Sequence, residues 1–170
     1  MIDTPRLRLV PVTPGDADRI CALLWHPDVR RHLCDDALMP RSEIEAAIAD
    51  SLDPSSLTAY WRLATESDEF AGMVGLQPPS TASLALRAIG WRSRELIVAL
   101  EPRWWGRGLA REAVGAVATC AARDGVTFAI VACVDLANER SHRLMLRCGF
   151  QELGRSRGAT AGVVVYEMAV

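Results

Sequence analysis

The sequence predicts a single α/β (α+β) domain over residues 1–170, with a mixed, mostly antiparallel central sheet flanked by helices. Three observations predict it. The chain has 170 residues, the size of one domain able to bury roughly 70% of its unfolded surface. Half of its residues are hydrophobic and 24% are charged, an ordinary globular balance. Strand-like and helix-like hydrophobic periods follow each other in the order βααβββαβαββ, with no linker, repeat or low-complexity run.

Taken in order, residues 6–11 alternate Arg, Leu, Arg, Leu and then Val, Pro, as a half-buried strand does. Residues 14–25 form a helix with a Pro-Gly-Asp start and Ile20, Leu23 and Leu24 on one face. A second helix runs over 42–52, where Ser42 and Glu45 have the spacing of a capping box. Residues 57–64 and 70–76 read as an antiparallel pair. Gly72 and Gly75 in the second of these strands mark a bulge or a close backbone approach. Residues 78–93 are the least legible, with two prolines, several small side chains and a short strand suggested at 84–89.

A strand at 95–100 leads into Pro102 and a glycine turn, and a helix follows over 108–123. Its face of Ala113, Val114, Val117, Ala118 and Ala121 is small enough to pack closely on a sheet. Asp124-Gly125 ends it. A buried strand at 127–134 makes 95–134 a βαβ unit. The helix at 139–148 stops at Gly149, and strands at 150–157 and 163–169 close a hairpin around Gly158–Gly162.

The bulk numbers narrow the function classes. A formal net charge of −2 gives no general pull towards nucleic acid or an anionic membrane. No segment approaches the length of a membrane span or a signal peptide, so a cytoplasmic protein is expected. All 19 basic residues are arginine. Cys21, Cys34, Cys120, Cys133 and Cys148 are odd in number and form no C-x-x-C pair, which points to reduced, mostly buried thiols. His26, His32 and His142 lack metal-ligand spacing, and no metal is expected.

The most informative string is Glu95-Leu-Ile-Val98-Ala-Leu100-Glu-Pro-Arg103-Trp-Trp105-Gly106-Arg107-Gly108-Leu109-Ala110. Two glycines at a strand-to-helix turn let the backbone take positive φ and approach a ligand closely. The helix start beyond them offers unpaired N–H groups and a partial positive charge, which suit a phosphate or pyrophosphate. The alternative is a tight turn that merely packs helix on strand. A P-loop is excluded, because the chain has no lysine. A dinucleotide fingerprint is excluded because Arg111 stands where the third glycine belongs.

A second string, Asn138-x-x-Ser141-x-x-Leu144-x-x-x-Cys148-Gly149-Phe150, places Ser141, Leu144, Met145 and Cys148 at i, i+3, i+4 and i+7. The serine hydroxyl therefore faces the core side of its helix. Asn138 and Ser141 also suit an ordinary helix start, with Asn138 as N-cap.

Together, Arg103-x-x-Gly106-x-Gly108 and Asn138-x-x-Ser141…Gly149-Phe150 resemble the two acyl-CoA elements of the GNAT superfamily of N-acetyltransferases. The longer string around residues 95–113 is similar to the RimJ/RimL branch, which acts on ribosomal-protein N-termini. The resemblance runs from Thr4 to Val170 and implies a GNAT-like single domain with an acyl-CoA cleft beside the central strands. It implies acetyl-CoA as co-substrate, held by Val98, Leu100, Arg103, Trp105, Gly106, Arg107, Gly108, Leu109, Ala110, Asn138 and Ser141.

The implied reaction is direct transfer of an acetyl group to a primary amine in a ternary complex. The acceptor is a protein N-terminus or a small-molecule amine, and the protein is a monomer or homodimer. By the same resemblance, Ser141 lies near the thioester sulfur as proton donor to the leaving thiolate. Glu95 matches a strand glutamate from which a base or water relay acts, the alternative being a strand-edge carboxylate paired with Arg92 or Arg94. A base helps because the attacking amine must be neutral, while lysine-like amines titrate near about 10.4 and α-amino groups near about 8. Ile97-Val98-Ala99 departs from the Gly-Tyr-Trp usual in that strand, which alters the acceptor pocket. Trp104 and Trp105 stack on the cofactor or bury beside the helix start. Trp25, Trp61 and Trp91 are core candidates first and acceptor-pocket walls second. The rival on the same fold is a non-catalytic acyl-CoA sensor or interaction module.

Overall fold

The βαβ unit at 95–134 is the centre of the molecule. The computed structural model describes residues 1–33, 36–86, 92–157 and 162–170. Cys34, Trp91, the second half of the strand suggested at 84–89 and the Gly158 end of the closing turn lie outside the described residues. The strands are β1 (Ile2–Asp3), β2 (Leu7–Pro11), β3 (Ala59–Thr65), β4 (Phe70–Gln77), β5 (Ser93–Leu100), β6 (Ala129–Asp135), β7 (Gln151–Arg157) and β8 (Gly162–Ala169). They form one sheet in the order β1-β2-β3-β4-β5-β6-β8-β7. Every neighbouring pair is antiparallel except β5 and β6, which run parallel.

Helices cover both faces. On one, α5 (Leu109–Ala121) lays Ala113, Val114, Val117 and Ala121 on Leu9, Leu63, Val74 and Ile130 of the sheet. Beside it α6 (Glu139–Cys148) contributes Met145. On the other face, α1 (Ala17–Trp25) and α3 (Arg41–Leu52) bury Ile20, Leu24, Ile44 and Ile48 against Tyr60, Met73 and Ala99. Strand β4 is therefore buried on both sides, which explains its near-continuous apolar run. A short α2 (Pro27–Arg30) follows α1. Both glycines of β4 mark close approach. A Cβ on Gly72 would lie 2.1 Å from the Ala99 carbonyl oxygen, and one on Gly75 2.1 Å from the Tyr60 ring. A register shift also falls between Leu63 and Ala64, opposite Gly72.

Four expectations are corrected. Ser42 does not cap α3: Pro40 precedes the helix, and Glu45 pairs with Arg41 at 2.7 Å. The reciprocal contact sits instead at Thr13, whose N–H and hydroxyl both donate to Asp16. Instead of a strand from residue 84, the chain forms α4 (Thr81–Leu84), a single turn capped by Ser80. Cys120 is exposed, because it falls off the helix face defined by residues 113, 117 and 121. Trp25 lies at the surface, its indole N–H donating to the Met39 carbonyl at 2.8 Å. Among the described residues no helix is long and apolar enough to cross a membrane.

Candidate active site

Beyond Leu100 the chain stays on β4 through the Glu101 N–H, which donates to the Ala71 carbonyl. It then makes one 3-10 turn at Pro102–Trp104. Gly106 and Gly108 take φ of 74° and 76°, a left-handed conformation that glycine adopts without steric cost. Gly108 is the N-cap of α5, and its carbonyl accepts the Glu112 N–H at 3.2 Å. The N–H groups of Leu109, Ala110 and Arg111 find no protein acceptor among the described residues. They sit at the positive end of a 13-residue helix, where an anion is favoured.

The turn is fastened from behind. Arg6 donates through Nη1 to the Arg107 carbonyl at 2.8 Å and through Nε to Glu112 at 2.7 Å. Thr4 donates to the same carboxylate at 2.7 Å. Trp105 Nε1 donates to the Leu100 carbonyl at 2.8 Å, and both Trp104 and Trp105 pack against the core. Arg103 turns away from this donor row. Its guanidinium is held by Glu101 at 2.7 Å and Glu69 at 3.2 Å. Arg107 stacks over Trp104.

The sheet opens at the next position. Parallel pairing of β5 with β6 begins at Ser93–Ala129 and ends at Glu95–Val131, although the two strands run on to Leu100 and Asp135. Val98 and Leu100 thus lie in a stretch of β5 without a strand partner on its β6 side. Across this opening stands the start of α6. Asn138 accepts the Ser141 N–H at 3.1 Å, an N-cap bond. The Ser141 side chain is half-buried, and its hydroxyl makes no hydrogen bond among the described residues. Arg140 lies over the Trp105 ring, 4.9 Å from its centroid, so the two informative strings meet in space.

Glu95 marks the end of the pairing. It is 8% exposed and does not pair with Arg92 or Arg94; Arg94 goes to Asp124. Instead Glu95 Oε2 accepts from the Ser80 N–H at 2.7 Å and from the Ser83 hydroxyl at 2.6 Å. Ser83 also lies 3.0 Å from Cys133 Sγ. Having given its proton to Glu95, the hydroxyl accepts from the thiol, and a Cys133–Ser83–Glu95 chain results. Burial pushes the Cys133 thiol up from its ordinary value. Sequence reasoning missed Ser80 and Ser83; the only local signal was the Ser-x-x-Ser spacing of a helix start after Pro78-Pro79.

Glu95 also lines a cavity of about 670 Å³. Its walls are Ile20 and Leu24 of α1, Ile44 and Ile48 of α3, and Tyr60 and Met73 of the sheet. A second hollow of about 640 Å³, between Met1–Pro5 and the outer face of α5, contains none of the residues selected from the sequence.

A glycine turn at a helix start, a strand pair that parts and a cavity at the parting point thus lie together in this fold. The family model described as Acetyltransferase (GNAT) domain matches residues 6–151. The chain belongs to the GNAT acetyltransferases. Solved GNAT structures superpose over nearly its whole length. AAC(6')-Ib with ribostamycin and coenzyme A has a TM-score of 0.81 at 14% identity, over 96% of this chain and 93% of that one. Spermidine N-acetyltransferase from Vibrio cholerae, with CoA and spermine, has a TM-score of 0.76 at 18% identity, over 98% and 96%. RimL, a ribosomal alpha-N-protein acetyltransferase with coenzyme A, has a TM-score of 0.78 at 14% identity, over 98% and 96%. No curated protein sequence matches the chain. This GNAT domain thus has the family's mostly antiparallel sheet between helices, and Glu95, Val98, Leu100 and the starts of α5 and α6 border one opening in that sheet, whereas Arg103 points away from it.

Proposed function

We propose that this GNAT protein transfers an acetyl group from acetyl-CoA to a primary amine held in the 670 Å³ cavity, by direct attack in a ternary complex. One observation carries the reading: the pairing of β5 with β6 ends at Glu95, the residue that faces the cavity. The acceptor side and the free edge of β5 therefore meet at one point. The N–H groups of Gly106, Arg107, Gly108, Leu109 and Ala110 receive the pyrophosphate, while Trp105 and Arg107 flank it. Asn138 contacts the CoA arm, and the edge at Val98–Leu100 supplies a donor to the thioester oxygen. One such donor typically contributes about 10²–10³ in rate. Arg103 acts by holding Glu101 and Glu69 beside the turn.

In this arrangement Glu95 uses its second carboxylate oxygen, which has no protein partner among the described residues, to hold the acceptor nitrogen. Ser141 returns a proton to the departing CoA thiolate. The cavity wall also favours one kind of acceptor. Its carboxylates already have partners: Asp36 meets Arg30, Asp135 meets His32, and Glu95 meets two serines. A polycation finds little there for its further charges, whereas one amine beside an apolar group finds Ile20, Ile44, Ile48 and Met73. A protein N-terminus with an apolar first residue fits best, in keeping with the RimJ/RimL resemblance.

The test is a screen of acetyl-CoA with peptides of varied first residue, spermine and aminoglycosides, reading thiol release, with acetyl-CoA affinity measured by calorimetry. The expected result is turnover highest on apolar N-termini. Tight acetyl-CoA binding with no thiol release on any amine would establish the non-catalytic sensor instead.

A further inference from the structure

The cavity contains a second polar pair. His32, just past α2, places Nδ1 2.8 Å from Asp135 Oδ2, although the two are far apart in sequence. Asp135 ends β6 and is itself fixed: its Oδ1 accepts the Ala137 N–H at 3.1 Å, and its carbonyl accepts the Asn138 N–H at 2.8 Å. The carboxylate is thus joined to the segment that starts α6, where Asn138 and Ser141 stand. Both side chains are largely but not wholly covered, 28% and 23% exposed, and both line the cavity that Glu95 faces.

The pair has a defined polarity. An ionised carboxylate only accepts, so Nδ1 of a neutral His32 must carry the proton and Nε2 the lone pair. Nε2 makes no hydrogen bond among the described residues. The hydrogen bond from His32, aided by the Ala137 N–H, holds the Asp135 carboxyl below the usual range. An imidazole oriented by a carboxylate, with its other nitrogen unbonded and the residue lining a cavity, has the arrangement of a general base.

We propose that His32, oriented by Asp135, takes the proton from the acceptor amine. The proposal rests on the acetyltransferase reading and adds a catalytic residue to it, with Asp135 as the positioning residue. The ammonium held by Glu95 gives one proton to His32 Nε2, and the freed lone pair attacks the thioester carbonyl carbon. The C–N bond forms and the carbonyl oxygen becomes an oxyanion. As that oxygen reforms the double bond, the C–S bond breaks. The nitrogen sheds its second proton, the thiolate gains one by way of Ser141, and His32 releases its own to solvent. One ammonium and one thioester give an amide, a thiol and one proton.

Other charged and titratable groups face His32 around the cavity. They are Arg31 and Asp36 beside it, Tyr60 of β3, Glu95 of β5, Cys133 and Asp135 of β6, and Arg157 of β7. His142 of α6 also acts on the Asp135 carboxylate through its charge. The experiment therefore compares pH–rate profiles of the parent, His32→Asn, Asp135→Asn and Glu95→Gln on three amines: a tripeptide with N-terminal leucine, spermine and kanamycin. On whichever the parent acetylates, His32→Asn should lower kcat about 10²-fold near pH 7. The deficit should shrink as alkaline solution deprotonates the amine, with the KM for acetyl-CoA unchanged. Asp135→Asn should fall between, and Glu95→Gln should raise the amine KM while keeping the parent's acid limb.

Parallel profiles for His32→Asn and the parent, with acetyl-CoA affinity intact, would overturn the proposal and leave the acetyltransferase reading standing. Loss of acetyl-CoA affinity together with kcat at every pH would make the pair a structural latch, which also overturns it. A parent that binds acetyl-CoA but acetylates none of the three amines would overturn the proposed acceptor class and this proposal with it.

Discussion

The guanidinium of Arg140 lies over the indole of Trp105, 4.9 Å from its centroid. One residue opens α6 and the other ends the 3-10 turn before the glycines, so the contact spans the opening between β5 and β6. Trp105 is fixed by its bond to the Leu100 carbonyl, which leaves Arg140 as the adjustable partner. An exposed contact of this type is worth about 0.5–1 kcal/mol. Arg140→Ala should accordingly raise the acetyl-CoA Kd about 2- to 5-fold with little change in Tm. Calorimetry and a thermal melt on the same sample check this; an unchanged Kd would show that the contact plays no part in donor binding.

Gly106 has φ of 74°, and a Cβ there would meet no atom within 4 Å. The protein alone therefore tolerates a side chain at a strain cost of about 1–2 kcal/mol. A pyrophosphate against the turn does not. Gly106→Ala should stay folded and bind acetyl-CoA at least tenfold more weakly, and Gly106→Val more weakly still. Unchanged affinity in a folded Gly106→Ala protein would remove the turn from the donor site.

Ser141 allows a clean test because its cap role uses only the backbone: Asn138 accepts from the N–H, not the hydroxyl. Ser141→Ala should keep α6 and lower kcat about tenfold while leaving the acetyl-CoA Kd alone. The loss is moderate because a thiol ordinarily titrates near about 8.5, so its thiolate leaves without much help. Steady-state kinetics with rate-limiting chemistry decides the matter.

Glu112 ties the N-terminal segment to the first turn of α5. Burial works against its charge, but bonds from Thr4 and from the Arg6 backbone and side chain prevail and hold the carboxyl below its ordinary range. A depressed folded pKa gives stability that is present above the unfolded value, about 4.3, and is lost as pH falls through the folded one. Glu112→Gln should cost about 1–2 kcal/mol at pH 7, and the gap from the parent should close in acid. Urea melts at pH 7 and pH 3 measure it, and a constant gap would contradict the assignment.

The free thiols should react in an order set by their surroundings. Cys120 is exposed, whereas burial pushes the thiols of Cys133 and Cys148 up. Peptide mapping after brief iodoacetamide treatment should find Cys120 alkylated well before those two. Fast alkylation of Cys133 would show that its bond to Ser83 does not hold in solution.

The parts of the site that are contiguous in sequence were legible: the glycine turn, the helix it starts, and the Asn138–Ser141 helix start each announce themselves within a few residues. The parts made by distant segments were not. Arg6 reaches Arg107, His32 reaches Asp135, and Ser83 reaches Glu95 only after the sheet has formed. Residues 78–86 resisted reading for the same reason, since their one helical turn is fixed by a carboxylate on β5. Local rules also misled where tertiary partners competed. Glu45 had the spacing to cap Ser42 but went to Arg41, and Trp25 had the bulk for the core but lies on the surface, bonded to Met39.

The early parting of β5 and β6 leaves the backbone ladder thinnest at one seam, which α5 bridges by packing on both sides of it. Among the described residues, the ladder from β1 through β5 and the ladder of β6, β8 and β7 share backbone bonds only near Ser93–Glu95, so the seam between them is the natural line of sub-global opening. Amide hydrogen exchange should then fall into two cooperative groups, one on each side. A ligand lying along the free edge of β5 and against α6 touches both groups at once. Its binding would slow exchange on both sides together and fuse two unfolding events into one. On the proposed binding mode, the donor would then act as a keystone of the folded state.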